Sequence, residues 1–401
     1  MENKVSKWCI VSMASIPLIM TLGNSMLIPV LPIFEDKVGI TSFQSSTIIT
    51  SYSIAAIILI PIAGYLSDRF GRKMVILPSL FFALIGGIVT GYASWKLDDP
   101  FFWIIVGRVI QGIGAAGATP IILPLVGDIY KGDDEKTSSC LGIIETSNTL
   151  GKVLSPILGS LLAAYLWFLP FFSISFFSLI SIILVFFFIR VPKGSEKKPQ
   201  PLGQFIQKTK EIFQNEKSWL YTTFLLGAYV MLILFSVLFF MSDMLEEIHA
   251  IKGVKKGFVL AIPLFTLCVA SFITGKKIKG DVGVMKKVII TSLILMVGSV
   301  VFIGFVKSQL IILLFVTSIL GSAIGCILPT LDAMITERIE KEERGTISSF
   351  YSSSRFIGVA AGPPLMSISM HNFLNGSFII SGILGLILIA IVSKFIRLKA
   401  A

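Results

Sequence analysis

Apolar residues along this chain fall in long unbroken blocks, not on alternate positions and not along one helical face. Phe168 to Ile189 runs 22 residues without a charge, and Phe373 to Ser393 is likewise uncharged. A block of about 20 such residues matches the roughly 30 Å hydrocarbon core of a bilayer at 1.5 Å per residue. A helix satisfies its own backbone polar groups in lipid, whereas a β-barrel would show a period-two alternation that is missing here. Reading the blocks between charged or Gly/Pro breaks predicts six spans near residues 7–34, 43–66, 74–95, 101–127, 138–166 and 168–190. Six more follow near 217–244, 254–276, 286–306, 308–336, 346–370 and 373–396. The fold class predicted is therefore an all-α membrane protein of twelve transmembrane helices.

Composition agrees. Of 401 residues, 54% are hydrophobic and 14% charged, against roughly 25% charged in a soluble domain. The net charge of +11 does not point to nucleic acid, because the basic residues sit in short loops between apolar blocks. Twenty-five of the 34 Lys and Arg fall on the side that carries the termini and the long central loop. The opposite loops are assigned six: Lys37, Lys96, Lys252, Lys255, Lys256 and Lys307. That bias predicts both termini in the cytoplasm. The first block follows Lys4 and Lys7 as a signal peptide would. It is too long, holds Pro17, Pro29 and Pro32, and lacks a small-residue cleavage site, so it reads as a retained first span.

Enzyme chemistry finds little support. Cys9, Cys140, Cys268 and Cys326 are scattered, and His249 and His371 stand at helix ends or loops, so no metal-binding or redox spacing arises. No G-x-x-x-x-G-K-[ST] string is present to drive an ATP pump.

The longest polar stretch, Pro192 to Lys217, divides the chain near its middle. The expected organisation is a six-helix bundle over 1–191, a cytoplasmic linker over 192–217 and a second six-helix bundle over 218–401. An internal echo supports duplication. Asn148, Gly151, Ser155 and Pro156 in span five recur, at a constant offset of 207, as Arg355, Gly358, Gly362 and Pro363 in span eleven.

Between spans two and three the chain reads GYLSDRFGRKMVIL, from Gly64 to Leu77. Gly64, Leu66, Asp68, Arg69, Gly71, Arg72 and Lys73 match the pattern G-x-L-x-D-R-x-G-R-[KR], which resembles the signature loop of the major facilitator superfamily. Span four reads IIVGRVIQGIGAAG and resembles that family's second motif through Arg108, Gln111, Gly112, Gly114, Ala115 and Ala116. Span five reads GKVLSPILGS and resembles the antiporter motif through Gly151, Pro156 and Gly159, with Ser155 and Ser160 in place of glycines. Span one reads NSMLIPVLP and resembles a drug-exporter motif ending at Pro29 and Pro32. The resemblance covers the whole chain and implies the twelve-span drug:proton antiporter branch, hence multidrug or siderophore-like efflux by alternating access. It implies a proton gradient in place of a cofactor, a small-molecule substrate, a lipid surround and a monomer. It also implies that Asp68, just past a helix end, meets the start of span eleven, and that Arg108 takes part in proton coupling. The rival reading of Arg108 is a side chain snorkelling to the outer interface. For Arg69, Arg72 and Lys73 the rival is plain positive-inside anchoring, and for the span-five glycines it is close helix packing.

Charges inside spans are candidates for function, because each is costly in lipid. Glu145, Asn148 and Lys152 follow the spacing i, i+3, i+7 and share one face of span five. Glu145 and Lys152 then stand about 10 Å apart along the axis, too far for a direct ion pair, with Asn148 or a water as a bridge. Arg355 is the repeat counterpart of Asn148. These residues predict a central cavity lined by Asn24, Glu145, Asn148, Lys152 and Arg355, with Glu145 as the proton carrier, since burial favours the uncharged carboxyl. The competing reading is a structural ion pair. Glu145, Lys152 and Arg355 sum to +1, which suits an anionic or zwitterionic amphiphile. Asp332 reads as structural, and Asp243, Glu246 and Glu247 as solvated. A lipid or glycolipid flippase, or a solute importer, remains a rival of the same fold.

Overall fold

The computed structural model describes residues 6–130, 134–189, 217–278, 282–306, 308–339 and 343–396, with isolated positions between 203 and 214. Apart from Lys217 and those positions, the expected linker 192–217 lies outside the described residues. The described chain is helical throughout.

Twelve long helices, counting helical segments that run on from one another as one, are present among the described residues. We label them α1 (Lys7–Val38), α2 (Ser42–Phe70), α3 (Arg72–Lys96), α4 (Phe101–Ile129), α5 (Asp134–Tyr165) and α6 (Leu169–Phe188). The second set is α7 (Lys217–Glu247), α8 (Gly253–Lys277), α9 (Val282–Val306), α10 (Leu310–Arg338), α11 (Arg344–Asn372) and α12 (Leu374–Phe395). Ten are long and apolar enough to cross a membrane by composition alone. The other two, α5 and α11, are the helices that carry Glu145, Lys152 and Arg355. Both helices keep an exposed apolar face, with Leu150 of α5 and Ile357 of α11 on it, while Lys152 is buried and Arg355 is 17% exposed, which limits the cost of that polarity.

Local signals set the ends. Ser6 caps the start of α1, accepting from the Trp8 amide at 3.3 Å. Gly39, with φ +70, stops α1 in the left-handed region that glycine tolerates. Thr41 and Gln44 then form a capping box that opens α2, a device worth about 0.5–2 kcal/mol. Within α1, the helix Lys7–Ser25 gives way to a 3-10 turn at Ile28–Val30 before resuming at Leu31. Pro32 lacks the N–H that would bond the carbonyl of Ile28 in a continuous helix. That carbonyl accepts from the Leu31 amide of the 3-10 turn and from the Ser242 hydroxyl of α7, the latter at 3.0 Å.

The packing repeats with a shift of six helices. In the first half α1 packs on α5 and α6, α2 on α4, and α3 on α4 and α6. In the second half α7 packs on α11 and α12, α8 on α10, and α9 on α10 and α12. The two six-helix bundles meet along two seams, α2 with α11 and α5 with α8, which the same shift exchanges. The α2–α11 seam is joined from end to end. Ser42 Oγ lies 3.2 Å from Ser367 Oγ, Thr50 donates to the Ala360 carbonyl at 2.7 Å, and Ser353 donates to the Ile57 carbonyl at 3.2 Å. At the far end Gly64 sits against the Ser349 hydroxyl.

Candidate functional site

The expected loop from Gly64 to Leu77 is a single residue. α2 continues through Asp68 and Arg69 to Phe70, and α3 begins at Arg72. Gly71 alone makes the turn, at φ +96 and ψ 145, a backbone region closed to most side chains. Asp68 is thus in the last turn of a helix and not beyond its end. Its carboxylate pairs with Arg72 at 2.5 Å. Arg72 also reaches Asp128 of α4 at 3.0 Å and the Ser67 hydroxyl at 2.7 Å. The described contacts of the Asp68 carboxylate therefore stay in the first bundle, and it is Gly64 that abuts α11. Lys73 donates to the carbonyls of Phe186 and Ile189, at 2.7 and 2.8 Å. It caps α6 where the helix dipole is negative. Arg69 is exposed, 5.3 Å from the Phe70 ring.

The glycines and prolines of α5 serve two surfaces. A Cβ on Gly151 would meet the Leu18 carbonyl of α1 at 3.1 Å, and one on Gly159 would collide with the Met26 carbonyl. Gly358 packs on the Ala228 carbonyl of α7 in the same manner, as the repeat requires. The Pro156 carbonyl, by contrast, meets Gly257 of α8 across the boundary between the bundles. Ser155 turns inward and donates to the Gly151 carbonyl at 2.7 Å.

Arg108 is wholly buried and does not snorkel. It donates to the Ile48 carbonyl of α2 at 2.9 Å, the Gly23 carbonyl of α1 at 3.3 Å, Gln111 at 2.6 Å and Asn24 at 2.7 Å. The ring of Tyr52 lies 4.5 Å from its guanidinium carbon. These acceptors are neutral, and they tie α1, α2 and α4 together. Asn24, expected beside Lys152 in the cavity, has its side-chain oxygen committed to Arg108.

The charged centre lies where α5, α10 and α11 converge. Asn148 donates to Glu145 at 3.3 and 3.4 Å, and its own oxygen accepts from Thr21 of α1 at 2.5 Å. The polar chain from Glu145 thus runs to α1, not to Lys152. Arg355 pairs with Asp332 of α10 at 3.5 Å and lies 5.5 Å from the ring of Tyr351. The Lys152 side chain is buried, with no hydrogen-bond partner for its ammonium among the described residues. Glu145, Lys152, Asp332 and Arg355 are within electrostatic reach of one another. Two carboxylates face two cations, so the expected sum of +1 becomes zero once Asp332 is included.

At the face opposite the termini, Lys256 is not a loop residue. It lies in the first turn of α8, 1% exposed, paired with Glu246 of α7 at 2.7 Å. Glu246 is accordingly largely buried, its side chain 11% exposed, and not freely solvated. Glu35 of α1 accepts from Ser45 nearby. Lys256 answers Glu246, Asp243 and Glu35 from both bundles.

A duplicated bundle of twelve spans with these motif residues at its seams is the architecture that comparison with known proteins identifies. The profile of the Major Facilitator Superfamily matches residues 13–282 and 245–401. The chain belongs to this superfamily. Over 363 residues it is 53% identical to the bacillibactin exporter of Bacillus subtilis (strain 168), covering 90% of each chain. It is 22% identical over 380 residues to multidrug resistance protein 2 of the same organism, covering 92% of this chain and 91% of that one. A solved D-xylose–proton symporter shares the fold with a TM-score of 0.80 at 14% identity, covering 97% of this chain and 98% of that one. Members of the superfamily are transporters, not enzymes, and need no bound cofactor. The chain is a multi-pass membrane protein of the efflux type that moves a small molecule.

Proposed function

We propose that the protein is a proton-coupled antiporter that exports a siderophore-like compound or other small amphiphile across the bacterial cytoplasmic membrane. It works as a lipid-embedded monomer with both termini in the cytoplasm. The bundles 1–191 and 218–401, joined by 192–217, rock about the buried centre. Export of a compound like that carried by the bacillibactin exporter is the reading that its 53% identity over nine-tenths of both chains favours.

The observation that carries proton coupling is the placement of ionisable groups on the helices that must move. Glu145 and Lys152 belong to one bundle, Asp332 and Arg355 to the other. A carboxyl in such a site can take a proton only when the site opens to one side. Glu145 carries the proton in this scheme, with Arg108 fixing the fold of α1 and α4 around it. Asn148, Lys152 and Arg355 face the substrate. Gly64, Asp68, Arg69, Gly71, Arg72 and Lys73 form the cytoplasmic closure, and Gly151, Ser155, Pro156 and Gly159 form the sliding surface of α5.

The test is reconstitution in proteoliposomes holding a pH-sensitive dye. Bacillibactin and chemically diverse drugs are added with and without an imposed pH gradient. Counterflow of protons with substrate, stopped by a protonophore and absent in Glu145→Gln, is the expected result. Gradient-independent transport would rule out antiport.

A further inference from the structure

Resting on that export reading, we propose that Lys152 anchors the acidic group of an anionic substrate with an apolar or aromatic body. The argument starts from what surrounds the ammonium. The Lys152 side chain helps line a cavity between the bundles, together with Ser25 and Pro29 of α1, Pro156 of α5, Phe235 and Leu238 of α7, and Leu264 of α8, and its ammonium is buried at that wall. Those walls are almost wholly apolar. The cavity holds about 20 Å3, room for one water-sized molecule.

Charge is balanced over the centre as a whole but not at this point. Asp332 is engaged by Arg355 at 3.5 Å, and Glu145, about two turns from Lys152 along α5, is held by Asn148. Neither carboxylate pairs with Lys152. A cation buried without a hydrogen-bond partner opposes closure of the bundles around it, since burial strips its water and no direct contact replaces it. An anion entering with its apolar body against Phe235 and Leu238 removes that opposition. The same contacts exclude a cationic aromatic, which would set two like charges in one dry space. Because both bundles line the cavity, it widens when they part and closes over the bound anion when they meet. Specificity for acidic substrates therefore follows from the closing step itself.

The test measures equilibrium binding of two probes of one shape, 2-naphthoate and 2-naphthamide, to the full chain in lipid nanodiscs, without a proton gradient. Wild type is expected to prefer naphthoate by about tenfold or more, the scale of one charge-assisted contact. Lys152→Met is expected to lose that preference while keeping its naphthamide affinity, which also reports that the pocket is folded. Lys152→Arg is expected to keep the preference. Should Lys152→Met not fold, reductive methylation of wild type followed by mass spectrometry gives a second measure. Naphthoate, and not naphthamide, is expected to slow modification of Lys152. Equal binding of the two probes by wild type, binding of neither, a preference that survives Lys152→Met, or absence of protection overturns the proposal. No proton gradient enters this experiment, so its failure leaves the antiport scheme standing, and failure of antiport in proteoliposomes leaves this assignment standing.

Discussion

Asp332 of α10 lies 3.5 Å from Arg355 of α11, and this pair holds the only described carboxylate bonded to the cation that repeats Asn148 of α5. Arg355 is 17% exposed and Asp332 34%, so the pair is neither sealed nor fully wet. Removing one partner strands the other near the middle of the protein. Asp332→Asn is expected to lower transport by roughly tenfold or more, equivalent to about 1.4 kcal/mol at the barrier. Uptake into inverted vesicles checks this, and an unchanged rate would relegate the pair to packing.

Arg108 tests whether a planar fork is needed at a buried hub. Its four described hydrogen bonds run in three directions, to α1, to α2 and along α4. An ammonium cannot reproduce that geometry. Arg108→Lys is expected to lower stability by about 2 kcal/mol or more, the scale of a lost charged hydrogen bond. Thermal unfolding in detergent measures it, alongside Arg69→Lys, whose exposed side chain predicts no change.

Close approach of α5 to α1 leaves no space at Gly159, where a Cβ would strike the Met26 carbonyl. Gly142, on the same helix, has open space around it. Gly159→Val is therefore expected to destabilise the fold by about 1–3 kcal/mol, and Gly142→Ala to be nearly neutral. Equal melting temperatures for the two variants would contradict the packing described.

Lys256 and Glu246 offer the cleanest double-variant comparison, because both side chains are largely buried. Lys256→Met alone leaves Glu246 without its partner and is expected to cost about 3–5 kcal/mol. Adding Glu246→Gln is expected to recover most of that loss, as measured by the yield of folded protein and its melting temperature.

The spans were legible because a lipid-crossing helix needs little beyond a long apolar block, and such blocks are visible without knowing what they touch. Residues 7–34 read as one unbroken span, and the break in α1 appears only in the structure, where Pro29 and Pro32 lack N–H groups that a continuous helix needs. Less legible was anything set by contacts between distant segments. Asp332 read as a structural residue near a helix end because nothing in sequence places it beside Arg355. Lys256 read as a loop lysine because α8 begins at Gly253, before its apolar block becomes continuous. Asn24 was expected in the cavity, yet its oxygen had a stronger claimant in Arg108. The stretch after Gly64 looked like a loop because glycine and charge usually mark one, but Gly71 completes the turn alone and leaves Asp68 helical.

Alternating access requires the α2–α11 seam to part at one end while it holds at the other, and cross-linking measures that requirement directly. Ser42→Cys with Ser367→Cys joins one end, and Gly64→Cys with Ser349→Cys joins the other, in a background where Cys9, Cys140, Cys268 and Cys326 are replaced. Oxidation of either pair is expected to stop transport, with full recovery on reduction. Transport that continues at the uncross-linked rate with either pair fully oxidised would contradict a rocking two-bundle mechanism.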